Sequence, residues 1–381
     1  MLSIQSKLPQ TGTTIFTVMS ALANECGAIN LSQGFPNFPS SSRLTELVAQ
    51  YMREGYNQYA PMPGVPELRA QIAAKIHHLY QIEVDPDQEI TVTAGATQAL
   101  FTAIAAFVSA GDEVIIVEPA YDSYGPSIEV MGAQVVPYQL GAPDYQIDWE
   151  AFAKLITPST RMIIINTPHN PTGSILEAED LQKLDQLTRD TEILVLSDEV
   201  YEHLIYDKEQ HQSILRYPAL RSRSLAVYSF GKTFHNTGWK IGYCVAPPEL
   251  MKEFRKVHQF NVFSVNTPMQ YALAKFMESP EEYLSLSTFF QEKRDFFLAE
   301  MKGSSLRPLA CRGTYFHLFD YSAISELPEH EFAIWMTKNI GVAAIPVSAF
   351  YHQQKSDRVI RLCFAKTNDT LEQAAVLLQK L

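Results

Sequence analysis

From residue 89 onward the chain alternates short, nearly unbroken apolar runs with longer stretches whose apolar residues recur every three or four positions. Glu89 to Thr93, Glu113 to Val117, Arg161 to Ile165, Glu192 to Leu196, Leu225 to Tyr228 and Ile241 to Ala246 are of the first kind and predict strands. Gln98 to Ser109, closed by Gly111, and Glu177 to Arg189 are of the second kind and predict helices. A strand that is apolar at every position is covered on both faces, the condition of a mostly parallel α/β sheet flanked by helices. Ligands of such sheets lie beyond the carboxyl ends of the strands.

The texture changes after Pro247 to Met277 and a long helical pattern from Glu281 to Met301. Beyond it, Thr314 to Phe319, Val342 to Ile345 and Val359 to Phe364 predict strands, with helices at about Glu329 to Asn339 and Thr370 to Lys380. This second pattern is a smaller α/β lobe. The first forty residues carry one short helix, Phe16 to Asn24, and the loop Leu31 to Pro39, and their pattern does not assign them to either lobe. A chain of 381 residues exceeds the size at which a single core stops growing, so two lobes are expected.

A net charge of −12, spread without acidic or basic blocks, argues against a nucleic-acid partner. It does not exclude a small anion, which a few local amides and cations hold. The cysteines Cys26, Cys244, Cys311 and Cys363 form no Cys-x-x-Cys pair, so no disulfide framework or zinc site is expected. No basic start precedes an apolar core, and no apolar run approaches the roughly 20 residues that span a bilayer. A cytoplasmic protein without membrane or metal partner is the expectation.

Three segments carry candidate chemistry: Asn170-Pro-Thr-Gly173, Ser197-Asp-Glu-Val-Tyr201 and Ser229-Phe-Gly-Lys232-Thr-Phe-His-Asn-Thr-Gly-Trp-Lys240. Lys232 stands among small residues in a turn, where an amine can be held dry enough for its pKa to fall and its nucleophilicity to rise. Ser229 and Lys240 supply a hydroxyl and a cation for a phosphate. Asp198 follows an apolar strand, so its carboxylate faces any ligand there and favours a protonated pyridine ring, an electron sink. Tyr201 and Asn170 can donate to a phenolate oxygen on that ring; Glu199 is the rival acid, and His169 reads as a loop residue. Gly95-Ala96-Thr97 joins strand to helix, where free amides attract phosphate. Tyr121 can lie flat on the ring. Arg361, in an apolar strand, offers a planar fork for the carboxylate that all alpha-amino acids carry. Together these groups point to pyridoxal 5'-phosphate.

In the same order the chain also shows Leu31-Ser-Gln-Gly-Phe-Pro36, Tyr59-Ala-Pro-Met-Pro-Gly64, Phe263-Ser-Val-Asn-Thr-Pro268 and Arg361-Leu-Cys-Phe364. With these motifs it resembles the class I/II aminotransferases of fold type I, in the methionine and kynurenine (glutamine) branch. The resemblance implies a large cofactor-binding domain over residues 40–282 and a small domain made of 1–39 and 283–381. It implies Lys232 as Schiff-base lysine and proton shuttle, Asp198 as partner of the pyridine nitrogen, and Asn170 and Tyr201 as phenolate ligands. Gly95, Ala96, Thr97, Ser229 and Lys240 would hold the phosphate, and Tyr121 would stack on the ring. Arg361, Asn170 and the Gly34 backbone would receive the substrate carboxylate. It also implies a homodimer with shared active sites, Tyr59 reaching the partner's phosphate and Phe263 its substrate pocket. Lys240 stands where many relatives carry arginine, which keeps the charge and gives up the fork.

The implied reaction moves an amino group from an L-amino acid to a 2-oxo acid in ping-pong fashion. Phe16, Phe35 and Phe263 suggest an apolar or aromatic side chain on the donor: methionine, aromatic amino acids, kynurenine or glutamine. No second arginine for a distal carboxylate stands out. The alternative with the same cofactor is a carbon-sulfur beta-lyase. A DNA-binding regulator lacks a basic module, and a nicotinamide dehydrogenase lacks its glycine fingerprint.

Overall fold

A computed structural model describes residues 4–353 and 355–381; residues 1–3 of the N-terminal segment lie outside the described residues. In chain order the strands are β1 (Ile29–Asn30), β2 (Ile90–Thr93), β3 (Glu113–Glu118), β4 (Gln134–Gln139), β5 (Thr160–Asn166), β6 (Leu194–Asp198), β7 (Ser224–Ser229) and β8 (Gly242–Val245). They continue with β9 (Arg307–Pro308), β10 (Phe316–Asp320), β11 (Val342–Ala343), β12 (Ile345–Pro346) and β13 (Val359–Cys363). A seven-stranded sheet has the order β2-β8-β7-β6-β5-β3-β4, parallel except for β8, which runs against β7 and β2.

The apolar runs behave as a doubly covered sheet requires. Successive residues point to opposite faces, so Val114, Ile116, Met162, Ile164, Leu196 and Val227 enter one core. Ile115, Val117, Ile163, Ile165, Val195 and Tyr228 enter the other. Burying each such aliphatic side chain contributes about 1.5–3 kcal/mol. The helix Gly95–Phe107 covers the first face, packed on β7, β8 and the helix Pro248–Asn261.

The C-terminal part forms a four-stranded antiparallel sheet, β12-β13-β10-β9. The N-terminal segment joins it: β1 pairs in parallel with β11, Ile29 opposite Val342, and the amide of Cys363 donates to the Leu31 carbonyl at 2.8 Å. The loop after β1 is thereby laid against β13, the strand that carries Arg361. A two-residue strand has no readable period, which is why the sequence pattern could not assign this segment.

Two expected elements are corrected. The helix read from Glu281 to Met301 is two helices, Glu281–Leu284 and Leu286–Glu300, joined at Ser285, whose hydroxyl and amide both donate to the Glu281 carbonyl, at 2.7 and 3.2 Å. The strand read from Val342 to Ile345 divides at Ala344, β11 joining β1 and β12 joining β13. Among the elements that escaped the pattern are β4 and the helices Ser42–Arg53, Pro66–Tyr80, Tyr124–Val130, Pro248–Asn261 and Thr267–Met277. β4 is an edge strand with exposed ends and a proline, so it lacks the continuous apolar run of its neighbours. Among the described residues no helix is long and apolar enough to cross a membrane.

Candidate active site

The carboxyl ends of five strands converge on one pocket. Asp198 closes β6; Lys232 lies three residues beyond β7, Asn170 four beyond β5, Tyr121 three beyond β3 and Gly95 two beyond β2. All five line that pocket, with Ala96, Thr97, Tyr201, Ser229 and Lys240. Of the residues nominated for the cofactor, Tyr59 alone lies outside it.

Asp198 is buried, 3 % exposed. Burial pushes its carboxyl up to about 6, against the hydrogen bond that Tyr124 Oη donates to Oδ2 at 2.6 Å. Period-two alternation turns Glu199 to the opposite face. There its carboxylate accepts from Ser197 Oγ, Ile214 N and Tyr228 Oη and faces His211, so the rival acid has no view of the pocket. Asn166 ties the turn together: its Nδ2 donates to the Asp198 carbonyl and its Oδ1 accepts the amide of Asn170, both at 2.8 Å. His169 is buried, paired with Thr172 Oγ1 at 2.7 Å, and pushed down to about 4 by burial, consistent with a structural loop role.

The Lys232 amine is pulled down to about 8 by burial, opposed by Cys363 and aided by the positive charge of Arg361. Its Nζ donates to Tyr315 Oη at 3.0 Å and to the Gly34 carbonyl at 3.3 Å. An amine with that pKa is substantially neutral at slightly alkaline pH and able to attack a carbonyl.

Gly95, Ala96 and Thr97 form the first turn of the helix Gly95–Phe107, whose leading amides lack intrahelical acceptors. Gly242 lets this helix end sit on the sheet: a Cβ there would meet the Tyr228 carbonyl oxygen at 2.5 Å and the Ala96 nitrogen at 2.9 Å. Lys240, in the left-handed region at φ 56°, brings its side chain beside Gly95. With Ser229 this end of the pocket gathers a hydroxyl, a cation and the helix's leading amides. Tyr121 stands at the wall, its hydroxyl 3.2 Å from Thr97 Oγ1 and its ring edge-on to Tyr124 at 5.7 Å.

Arg361 is 1 % exposed. Nη1 donates to Asn170 Oδ1 at 2.7 Å and Nη2 to the Ser32 carbonyl at 3.2 Å, while the buried Nε has no partner. The Phe316 ring lies 3.8 Å from its guanidinium carbon, with Phe350 and Phe16 at 5.1 and 5.4 Å. Burial lowers its pKa to about 10, which leaves it charged at neutral pH. Among the described residues no carboxylate pairs with it. A buried cation without a counter-ion is costly, and an incoming carboxylate repairs that cost. Since Asn170 Oδ1 is committed to Arg361, its amide nitrogen is the end free to donate elsewhere.

The glycine at position 34 is required by packing, because a Cβ would lie 2.7 Å from Phe316 Cζ. Its carbonyl is taken by Lys232 and Tyr315, which leaves the N–H for an anion. Phe35 is 45 % exposed and lies outside the pocket lining. Tyr59 and Phe263 form an edge-to-face pair at 5.3 Å on the surface, Tyr59 83 % exposed. Residues missed from the sequence are Tyr124, Asn166, Tyr315 and Ser32. Tyr124 had a signal, standing three residues after Tyr121 at the entry of a helix, and so had Asn166, which closes the apolar strand β5; Tyr315 and Ser32 are brought in by tertiary contacts.

Comparison with known proteins agrees with this geometry. The family model for aminotransferase class I and II matches residues 27–378. The methionine aminotransferase of Escherichia coli is 52% identical over 378 residues, covering 99% of this chain and 98% of its own. The crystal structure of an Escherichia coli protein with a methionine aminotransferase function superposes with a TM-score of 0.98 at 51% identity, covering 100% of both chains. Kynurenine–oxoglutarate transaminase 1 of Mus musculus is 36% identical over 386 residues, covering 92% of this chain and 91% of its own. With a match over nearly its whole length and strand ends arranged around a half-buried lysine, the chain belongs to the class I and II aminotransferases.

Proposed function

We propose that this enzyme binds pyridoxal 5'-phosphate and transfers the amino group of an L-amino acid with an apolar or aromatic side chain, methionine foremost, to a 2-oxo acid in two half-reactions. The observation that carries the reading is the half-buried Lys232 amine sharing one pocket with the buried acid Asp198, within the electrostatic reach of Arg361, a buried cation with no carboxylate partner among the described residues. When bound, the cofactor supplies an electron sink for the substrate's alpha carbon. The residues suit it: an anion site at Gly95–Thr97, Ser229 and Lys240; a wall in Tyr121; donors in Tyr201 and the Asn170 amide; an acid in Asp198 for the ring nitrogen.

Each side chain then has a stated task. Lys232 holds the cofactor and, once freed, carries the alpha proton, a job for an amine near neutrality. Burial pushes the Tyr201 phenol far up, so it stays a donor. Arg361 binds the substrate carboxylate through its fork and thereby fixes the amino group toward Lys232. Arg361→Lys keeps the charge and loses the second donor; we expect KM for L-methionine to rise about 10- to 100-fold, the loss of a charge-assisted hydrogen bond of about 1.5–3 kcal/mol, with kcat changed far less. Steady-state kinetics of the variant measure that split, and an unchanged KM contradicts the role.

The aromatic surroundings of Arg361 favour apolar donors, and the relatives that act on methionine and kynurenine support this. L-Methionine is expected to outpace L-aspartate as donor by at least about tenfold in kcat/KM; faster aspartate turnover defeats the assignment. The reading includes a large domain over 40–282 and a small one formed by 1–39 and 283–381. It includes a homodimer in which the exposed Tyr59 and Phe263 pair reaches the neighbouring site, and a cytoplasmic location in keeping with four free cysteines.

A further inference from the structure

We propose that Tyr315 is a positioning residue for Lys232: its hydroxyl, anchored on the Gly34 carbonyl, sets the direction in which the lysine amine presents its reactive position. The inference rests on the proposed role of Lys232 and adds a residue that role does not require.

The geometry fixes the direction of each hydrogen bond. Tyr315 is fully buried, and its Oη lies 2.6 Å from the Gly34 carbonyl oxygen, which can only accept. The phenol proton is therefore spent on Gly34. Burial, together with the neighbouring Tyr201 and Cys363, pushes the Tyr315 phenol well above its ordinary range, so it keeps that proton. Toward Lys232, 3.0 Å away, Oη can act only as an acceptor. The Gly34 carbonyl is a second acceptor for the same Nζ at 3.3 Å. Two of the nitrogen's positions are thus committed, and the third, a lone pair on the neutral amine, is left for the pocket that Lys232 lines.

The ring is held for this purpose. It packs against Tyr201, Phe290 and Phe316 at 5.2, 5.8 and 4.9 Å between centroids, and Thr314 before it adopts a left-handed φ of 66°. Tyr315 stands at the entry of β10, Gly34 in the loop after β1 and Lys232 beyond β7, so the hydroxyl joins three separate parts of the chain. Gly34 lies two residues from Ser32, whose carbonyl holds Arg361. The loop that buttresses the carboxylate receptor therefore also sets the lysine.

The electrostatic surroundings of Lys232 are Asp198 from the end of β6, Arg361 and Cys363 from β13, Lys240 before β8, and the rings of Tyr201 and Tyr315. Among these, removing an acceptor that favours the ammonium form lowers the amine's pKa.

The test is Tyr315→Phe in the full chain. The apoprotein is mixed with pyridoxal 5'-phosphate at a series of pH values, and the rate of capture is followed by absorbance. The inflection assigned to Lys232 is expected to move to lower pH. In a single turnover of the loaded protein with L-methionine, the rate is expected to fall about tenfold, the half-saturating methionine concentration to change less than about twofold, and the isotope effect from alpha-deuterated methionine to grow. A purely structural residue would not raise that isotope effect. Should the phenylalanine variant fail to fold, 3-fluorotyrosine at position 315 weakens the acceptor in the same space and is expected to shift the capture inflection in the same direction by a smaller amount. An unchanged inflection and isotope effect in a variant that captures the cofactor normally overturns the proposal, whereas failure of the parent protein to capture the cofactor on Lys232 overturns the proposed function instead.

Discussion

Lys232→Ala is expected to lower turnover of L-methionine by at least about 10⁴-fold and to remove the visible absorbance of lysine-bound cofactor. A positioned proton-transfer group contributes about 10²–10⁴-fold by itself, and in the proposed role the same amine would also hold the cofactor's carbonyl carbon. No other lysine can substitute within the pocket. Lys240 is the second lysine of its lining, and its side chain stands at the anion end beside Gly95. The cavity left by the shortened side chain is bordered by Tyr315 and the Gly34 carbonyl, so water or a small added amine can enter it. Partial recovery of turnover with ethylamine is the corresponding expectation. A variant retaining both the absorbance and the activity removes Lys232 from the mechanism.

Asp198→Asn is expected to lower kcat by at least about 10²–10³-fold, the size of effect found for removing one preorganised electrostatic group. The same substitution is expected to stabilise the apoprotein. Burial raises the Asp198 carboxyl from 3.8 to about 6 in the folded chain. The folded state therefore holds the proton more tightly than the unfolded one. The contribution to stability is fully present below pH 3.8 and is lost as pH rises through about 6. Above that pH the buried carboxylate costs up to about 3 kcal/mol, a charge kept ionised chiefly by the Tyr124 hydrogen bond. Asparagine accepts the same bond without the charge. Thermal melts of the two apoproteins at pH 8 are expected to favour the variant, with the difference shrinking as pH falls toward 4. A less stable, fully active variant contradicts both halves of the argument. In the proposed role, activity would depend on an unfavourable buried charge that a protonated ring nitrogen neutralises.

How far this site could be read from the sequence follows from where its residues stand. Asp198, Asn170, Tyr121, Gly95 and Lys232 sit at or just past the ends of doubly buried strands. Continuous apolar runs mark those strands, so their downstream residues were legible as ligand-facing. In the sequence Glu199 stands as the rival of Asp198; the sheet's alternation separates the two physically. Tyr315 and Ser32 carried no such mark. They act through one hydroxyl and one carbonyl, brought to the site by the two-residue pairing of β1 with β11 and by the antiparallel pairing of β10 with β13. Short strands and edge strands such as β4 leave no period to read, whereas the helices Ser42–Arg53 and Pro66–Tyr80 are long enough to carry one and were missed all the same.

The central claim concerns one nitrogen atom. The protein loaded with pyridoxal 5'-phosphate, reduced with borohydride, digested and sequenced by mass spectrometry, should carry the pyridoxyl phosphate mass on the peptide containing Lys232 and on no other. Recovery of that mass on a different lysine, or on none, would contradict the account.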